Sequence, residues 1–165
     1  MSKKILIDLA KFRDSQTGNY NYGECIYDFH PDNLGMKAII ERAMFHFTCR
    51  KCEDAPCIAI CPEDALERDA EGIIRRAANL CVGCQSCVAV CPFGTLMNEV
   101  ITAKKSICDL QSCLASGNPL RCMETAPAGA IIITEMDADA EQNIFQLDEY
   151  ILVKEMRWED VIKEE

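Results

Sequence analysis

The chain has no stretch approaching the roughly 18 apolar residues that a membrane-spanning helix needs, no twin-arginine pair near its start and no excess of positive charge. The first absence argues against a membrane span. The start, Met1-Ser-Lys-Lys, is basic, but Asp8 interrupts the apolar run that follows before it reaches signal-peptide length, so a soluble, cytoplasmic protein is expected. A formal net charge of −10 argues against a nucleic-acid binder, which would present a basic face. The same charge suits docking on a basic patch of a redox partner, and equally suits plain solubility. No P-loop, no Rossmann glycine pattern and no paired nucleophile and base stand out, so no organic-substrate site and no catalytic residue is expected. Histidine is scarce. His30 and His46 are the only two, and both read as packing or surface residues rather than ligands. At 165 residues the chain makes one domain or two small lobes.

Cysteine is what the chain has in excess, with twelve. A disulfide framework needs an oxidising compartment, which nothing in the sequence indicates. The spacing says more. Cys81-Val-Gly-Cys84-Gln-Ser-Cys87-Val-Ala-Val-Cys91-Pro92 is C-x2-C-x2-C-x3-C-P, the run that holds iron–sulfur clusters in bacterial-type ferredoxins. Three closely spaced thiolates cap three iron corners of a cubane, and the fourth cysteine is carried away on the following turn. In two-cluster ferredoxins that fourth cysteine ligates the other cluster, so a second run is expected. Cys49-Arg-Lys-Cys52-Glu-Asp-Ala-Pro-Cys57-Ile-Ala-Ile-Cys61-Pro62 supplies it. By this rule Cys49, Cys52, Cys57 and Cys91 hold one cluster, and Cys81, Cys84, Cys87 and Cys61 the other. The alternative keeps each run on its own cluster. Pairs of C-x2-C can hold structural zinc, but zinc takes two ligand pairs, whereas these runs gather three cysteines and place a fourth on Cys-Pro.

In chain order, residues 4–9 read as a strand, 11–23 as a loop, and Met36 to Phe47 as a helix, from the recurrence of Ile39, Ile40, Ala43, Met44 and Phe47. Residues 65–77, with a Glu-Gly turn, read as a β-hairpin. Residues 93–103 look extended in the same way, giving an internal repeat of cysteine run, Cys-Pro and small strand. Residues 131–134 read as a strand. The apolar runs 144–147 and 150–153 could form a hairpin, and Trp158 to Glu165 a short acidic helix.

These motifs resemble those of the multi-cluster ferredoxin-like electron-transfer subunits that accompany molybdenum or tungsten enzymes and hydrogenases, such as the iron–sulfur subunits of dimethyl sulfoxide reductase and formate dehydrogenase. That family has four cysteine runs, and the inner pair matches closely here, including Cys49-Arg-Lys-Cys52 and Pro56-Cys57. A fourth run looks like Cys108-Asp-Leu-Gln111-Ser-Cys113, Gly117-Asn-Pro119, Cys122 and Ala126-Pro127. Gln111 stands where the family has cysteine, Cys113 taking its place, and Ala126 stands where the family has the last cysteine. The three cysteines that would share a cluster with that last one are absent too, since residues 8–24 contain none. The resemblance therefore implies that one outer cluster is lost as a unit and its neighbour is kept, on Cys108, Cys113, Cys122 and Cys25.

The resemblance implies an α+β fold of two interleaved bacterial-ferredoxin-like lobes built around three 4Fe–4S clusters. The outer lobe would be residues 1–47 plus 104–140 and the inner lobe 48–103. Residues 141–165 would form a C-terminal extension that either packs over a lobe or grips a partner, the second being preferred because Trp158 lies there. The implied partner is a separate catalytic oxidoreductase subunit with a tungsten or molybdenum cofactor, with ferredoxin or another redox subunit as a further partner. Three clusters and a cytoplasmic address are similar to the small subunit of tungsten oxidoreductases of the aldehyde ferredoxin oxidoreductase type, including that of the ATP-independent benzoyl-CoA reductase. Alternatives are a soluble hydrogenase subunit and a free-standing polyferredoxin.

Overall fold

A computed structural model describes residues 3–13, 16–25, 35–103, 108, 110–117 and 120–161. His30 lies outside these residues. The chain divides into two compact units, each built from two segments: residues 1–39 with 106–156, and residues 40–105 with 157–165.

The first unit is built on a four-stranded sheet. Its strands are β1 (Lys4–Asp8), β4 (Ile131–Thr134), β5 (Ile144–Gln146) and β6 (Ile151–Lys154), in the order β4-β1-β6-β5. β1 pairs antiparallel with β4 and parallel with β6, and β5 and β6 form an antiparallel hairpin. As an inner strand, β1 has all five residues buried, and Ile5, Ile7, Leu152 and Val153 are wholly so. Burying a side chain of this kind contributes about 1.5–3 kcal/mol, so β6 belongs to the core of this unit. The apolar runs within residues 144–154 form the hairpin their pattern suggests, and β6 joins it to β1. After β1 the chain makes a 3-10 turn at Leu9–Phe12, and Arg13 forms an isolated antiparallel bridge with Tyr20. A second 3-10 turn, Ala140–Gln142, precedes β5. Helices α4 (Leu110–Ala115) and α5 (Arg121–Thr125) complete the unit.

The division between units falls inside helix α1 (Gly35–Ala43). The expected helix is present, but it ends in a wider turn, Met44–Thr48. There the Cys49 N–H donates to the Met44 carbonyl at 2.9 Å, and the Thr48 hydroxyl donates to the same oxygen at 2.9 Å. This i to i+5 closure is a π-type turn, and it delivers Cys49 to the second unit. His46, in the same turn, packs edge-on to Phe47 with ring centroids 4.6 Å apart.

In the second unit, α2 (Pro56–Ala59) packs against α3 (Ser86–Val90), and β2 (Leu66–Arg68) pairs antiparallel with β3 (Ile74–Arg76). Pro56 occupies the first turn of α2, where a missing N–H costs nothing. α6 (Trp158–Val161) closes the described chain. No strand forms over residues 93–103, contrary to the extended reading. The Val100 and Ile101 N–H groups both donate to the Met97 carbonyl, making a turn. The carbonyls a ladder would have used are taken by side chains: the Gln85 amide donates to Asn98 and Ile101, and Arg76 donates to Thr102.

Candidate iron–sulfur sites

The two cysteine runs of the second unit share a backbone pattern beyond their spacing. Lys51 and Gly83 each follow the first cysteine of their run by two residues, and both have positive φ. Ala55 and Gln85, two residues before the third cysteine, are also left-handed, as are Asp64 and Gly94, three residues after the last. A left-handed residue turns consecutive N–H groups toward a common point, the anion-cradling geometry of a backbone nest. Four of these six positions carry side chains, at a conformational cost of roughly 1–2 kcal/mol each. Gly83 has a further constraint, because a Cβ there would meet the Ala103 backbone nitrogen at 2.6 Å.

These turns aim backbone donors at sulfur. The Ala65 N–H donates to Cys61 Sγ at 3.3 Å. Cys91 accepts from the corresponding Thr95 N–H, with Phe93 and Leu96 adding donors and the Thr95 hydroxyl 3.4 Å away. Burial pushes the Cys91 thiol up, and these hydrogen bonds outweigh it, leaving the pKa lowered. Cys84 Sγ lies 3.4 Å from the Ser86 hydroxyl oxygen, and hydrogen bonding with the Ser86 side chain and backbone lowers the Cys84 pKa.

The cysteines line two cavities. One is walled by Cys49, Cys52, Cys57 and Cys91, with Ile74, Leu96 and Pro56 among its apolar neighbours. The other is walled by Cys61, Cys81, Cys84 and Cys87, with Leu66, Ile101 and Arg76. Each cavity thus gathers three cysteines of one run and the last cysteine of the other. Cys57 on α2 and Cys87 on α3 lie within electrostatic reach of each other. Burial raises the pKa of Cys49, Cys57 and Cys87, and neighbouring thiolates add to the rise.

In the first unit, Cys108, Cys113, Cys122 and Cys25 form a third group. Burial first, and then the neighbouring cysteines of this group, push the Cys108 thiol up to about 12 and the Cys122 thiol up to about 11. Cys25 is held there by a clamp on α5. The Glu24 N–H donates to the Thr125 hydroxyl at 2.7 Å, the Asn21 amide donates to the Thr125 carbonyl at 3.0 Å, and Arg121 pairs with Glu24 at 2.6 Å. Gly23 makes the close approach possible, since a Cβ would lie 2.7 Å from the Cys122 carbonyl oxygen. Gln111, at the position where cysteine was expected, is exposed, whereas Cys113 is half-buried.

At Cys49, Cys57, Cys87, Cys108 and Cys122 burial and mutual repulsion both oppose the thiolate, so these thiols ionise readily only when positive charge joins them. Iron supplies that charge, and a coordinated thiol is deprotonated outright. Among the described residues no three His, Cys, Asp or Glu side chains converge as on a single ion; the eight cysteines of the second unit line two cavities instead. All-thiol donor sets, apolar walls and N–H groups aimed at sulfur fit a cubane cluster.

The family described as a 4Fe-4S dicluster domain matches residues 40–136, more than half of the chain. The chain belongs to this family. Among similar proteins, the uncharacterized ferredoxin-like protein YdhX of Escherichia coli K12 is 36% identical over 111 residues, covering 64% of this chain and 50% of YdhX. Protein NrfC of Escherichia coli K12 is 34% identical over 111 residues, covering 66% and 49%. The thiosulfate reductase electron transfer subunit PhsB of Salmonella typhi is 33% identical over 102 residues, covering 58% and 53%. The chain spans about half the length of these relatives. It is an iron–sulfur, ferredoxin-like protein, and among its described residues no helix is long and apolar enough to cross a membrane.

Sequence reasoning passed over Arg76 and Glu41, which are buried together beside the second cavity. Arg76 Nε and Nη2 donate to the two Glu41 carboxylate oxygens at 3.0 and 2.5 Å, and Nη1 donates to the Thr102 carbonyl at 2.9 Å. A signal was present. On a strand of period two, Arg76 falls on the same face as the buried Ile74.

Proposed function

We propose that this chain is an electron-transfer subunit holding three 4Fe–4S clusters and passing single electrons to or from a separate catalytic oxidoreductase subunit. The ligand sets are Cys49, Cys52, Cys57 and Cys91; Cys61, Cys81, Cys84 and Cys87; and Cys25, Cys108, Cys113 and Cys122. The observation that carries the reading is the exchange of last cysteines between the two cavities, the arrangement that two-cluster ferredoxins use.

Bound clusters supply one-electron redox chemistry. The chain's own residues do the rest: thiolates ligate, backbone N–H groups stabilise sulfur charge, and apolar walls limit water. With four thiolates assigned to each cluster, no open coordination position is left for a substrate. The finer proposal is a tungsten- or molybdenum-containing catalytic partner, with ferredoxin or another redox subunit at the opposite end of the relay. It is supported by the family resemblance and by similarity to a protein named as the electron transfer subunit of a reductase.

Iron, zinc and acid-labile sulfide on anaerobically purified protein test the reading. About twelve irons and twelve sulfides per chain are expected from three cubanes. About eight would remove the Cys25, Cys108, Cys113, Cys122 cluster, and zinc without sulfide would overturn electron transfer altogether.

A further inference from the structure

We propose that the buried Arg76–Glu41 pair raises the reduction potential of the site formed by Cys61, Cys81, Cys84 and Cys87, making it the electron-accepting member of the two sites in its unit. This rests on the iron–sulfur reading above. The side chains of the pair are 1% and 6% exposed, so water screens them little. The pair is neutral overall but oriented. Arg76 lines the cavity beside the four cysteines, and Glu41 is not among its lining residues. The positive end therefore faces the sulfurs.

The geometry leaves donors for that task. A guanidinium has five N–H groups; two serve Glu41 and one serves Thr102, and the guanidinium also reaches the Cys81 sulfur. A guanidinium is not deprotonated in proteins, so the charge is permanent. Reduction adds one negative charge to a cluster, and a fixed positive charge at its edge favours that state.

Among the described residues the other cavity has no buried cation: Lys51, which acts electrostatically on Cys49, is only half-buried. The arginine among its lining residues, Arg50, is solvent-exposed and stacks over Phe93 and Trp158, 4.5 and 5.4 Å from the ring centroids. The backbone donors differ in the opposite sense: Ala65 N–H to Cys61 and Thr95 N–H to Cys91 are equivalent in the repeat, and Phe93 and Leu96 add donors to Cys91 alone, so they do not account for a higher potential at the Cys61 site. The buried guanidinium is the difference in fixed, unscreened charge.

The test is redox potentiometry followed by electron paramagnetic resonance on full-length protein. It compares wild type, Glu41→Gln/Arg76→Gln, Glu41→Gln and Arg76→Lys, with iron and sulfide counted on each. In the double variant one couple is expected to fall. A roughly tenfold loss of reduced fraction at fixed potential corresponds to about 59 mV for a one-electron couple. The same couple should rise in Glu41→Gln, where the guanidinium loses its counter-charge, and should stay near wild type in Arg76→Lys. It should be the couple whose signal changes in Cys84→Ser. If the double variant loses iron, the upward shift in Glu41→Gln decides alone. Full iron content with no couple moving, or with all moving equally, overturns the proposal and leaves the electron-transfer reading standing. Wild type without iron and sulfide overturns that reading first.

Discussion

The two cavities of the second unit are built on one backbone plan and differ in what surrounds it. Both have three left-handed residues at equivalent positions, a short helix carrying the third cysteine and a Cys-Pro turn supplying a ligand candidate to the other cavity. Around Cys49, Cys52, Cys57 and Cys91 the neighbouring arginine is exposed and stacked on aromatic rings. Around Cys61, Cys81, Cys84 and Cys87 the neighbouring arginine is buried and bound by a carboxylate. The repeat sets where thiolates go. The residues outside it set how each site behaves, so two sites of the same ligand type can be separated in potential without any change of ligand.

Breaking the buried pair should have the largest effect. Arg76→Met leaves Glu41 buried without its partner, and removing one member of such a pair costs about 3–5 kcal/mol. A large fall in the anaerobic urea midpoint is expected, with iron lost first from the Cys61, Cys81, Cys84, Cys87 site. Gly83→Ala should cost about 2 kcal/mol. Left-handed strain accounts for roughly 1–2 kcal/mol, and the Ala103 backbone must also move aside; lowered iron content on anaerobic purification is the readout. Arg50→Ala removes an exposed cation–π stack worth about 0.5–1 kcal/mol, so the urea midpoint should shift only slightly and the Cys49, Cys52, Cys57, Cys91 couple hardly at all. A large change there would show that the two arginines play equivalent roles. Lys51→Gly places at the first repeat the residue type that the second carries. Relief of left-handed strain and the added chain entropy of glycine nearly cancel, so a change below about 0.5 kcal/mol in unfolding free energy is expected.

How much of this was readable beforehand follows from the range of the interactions. The hairpin of β2 and β3, strand β1 and helix α1 rest on local periodicity and turn residues, and they form where the pattern puts them. The cysteine runs were legible because cluster binding demands fixed spacing. The segment 93–103 misled because Leu96, Val100 and Ile101 are buried, as a strand would bury them, while the backbone partners that decide its conformation are the side chains of Gln85 and Arg76. The parallel pairing of β1 with β6 joins opposite ends of the chain, and no local signal announces it. The same holds for the Arg76–Glu41 pair, where one partner lies on a helix and the other on a hairpin.

The central claim is that each cavity of the second unit holds a cluster by three cysteines of one run and the last of the other. The direct test is electron paramagnetic resonance of reduced Cys91→Ser beside Cys57→Ser and Cys81→Ser, each in the full chain. The account predicts that Cys91→Ser and Cys57→Ser perturb the same signal and that Cys81→Ser perturbs a different one. If Cys91→Ser instead shares its signal with Cys81→Ser, each run keeps its own cluster and the account is contradicted.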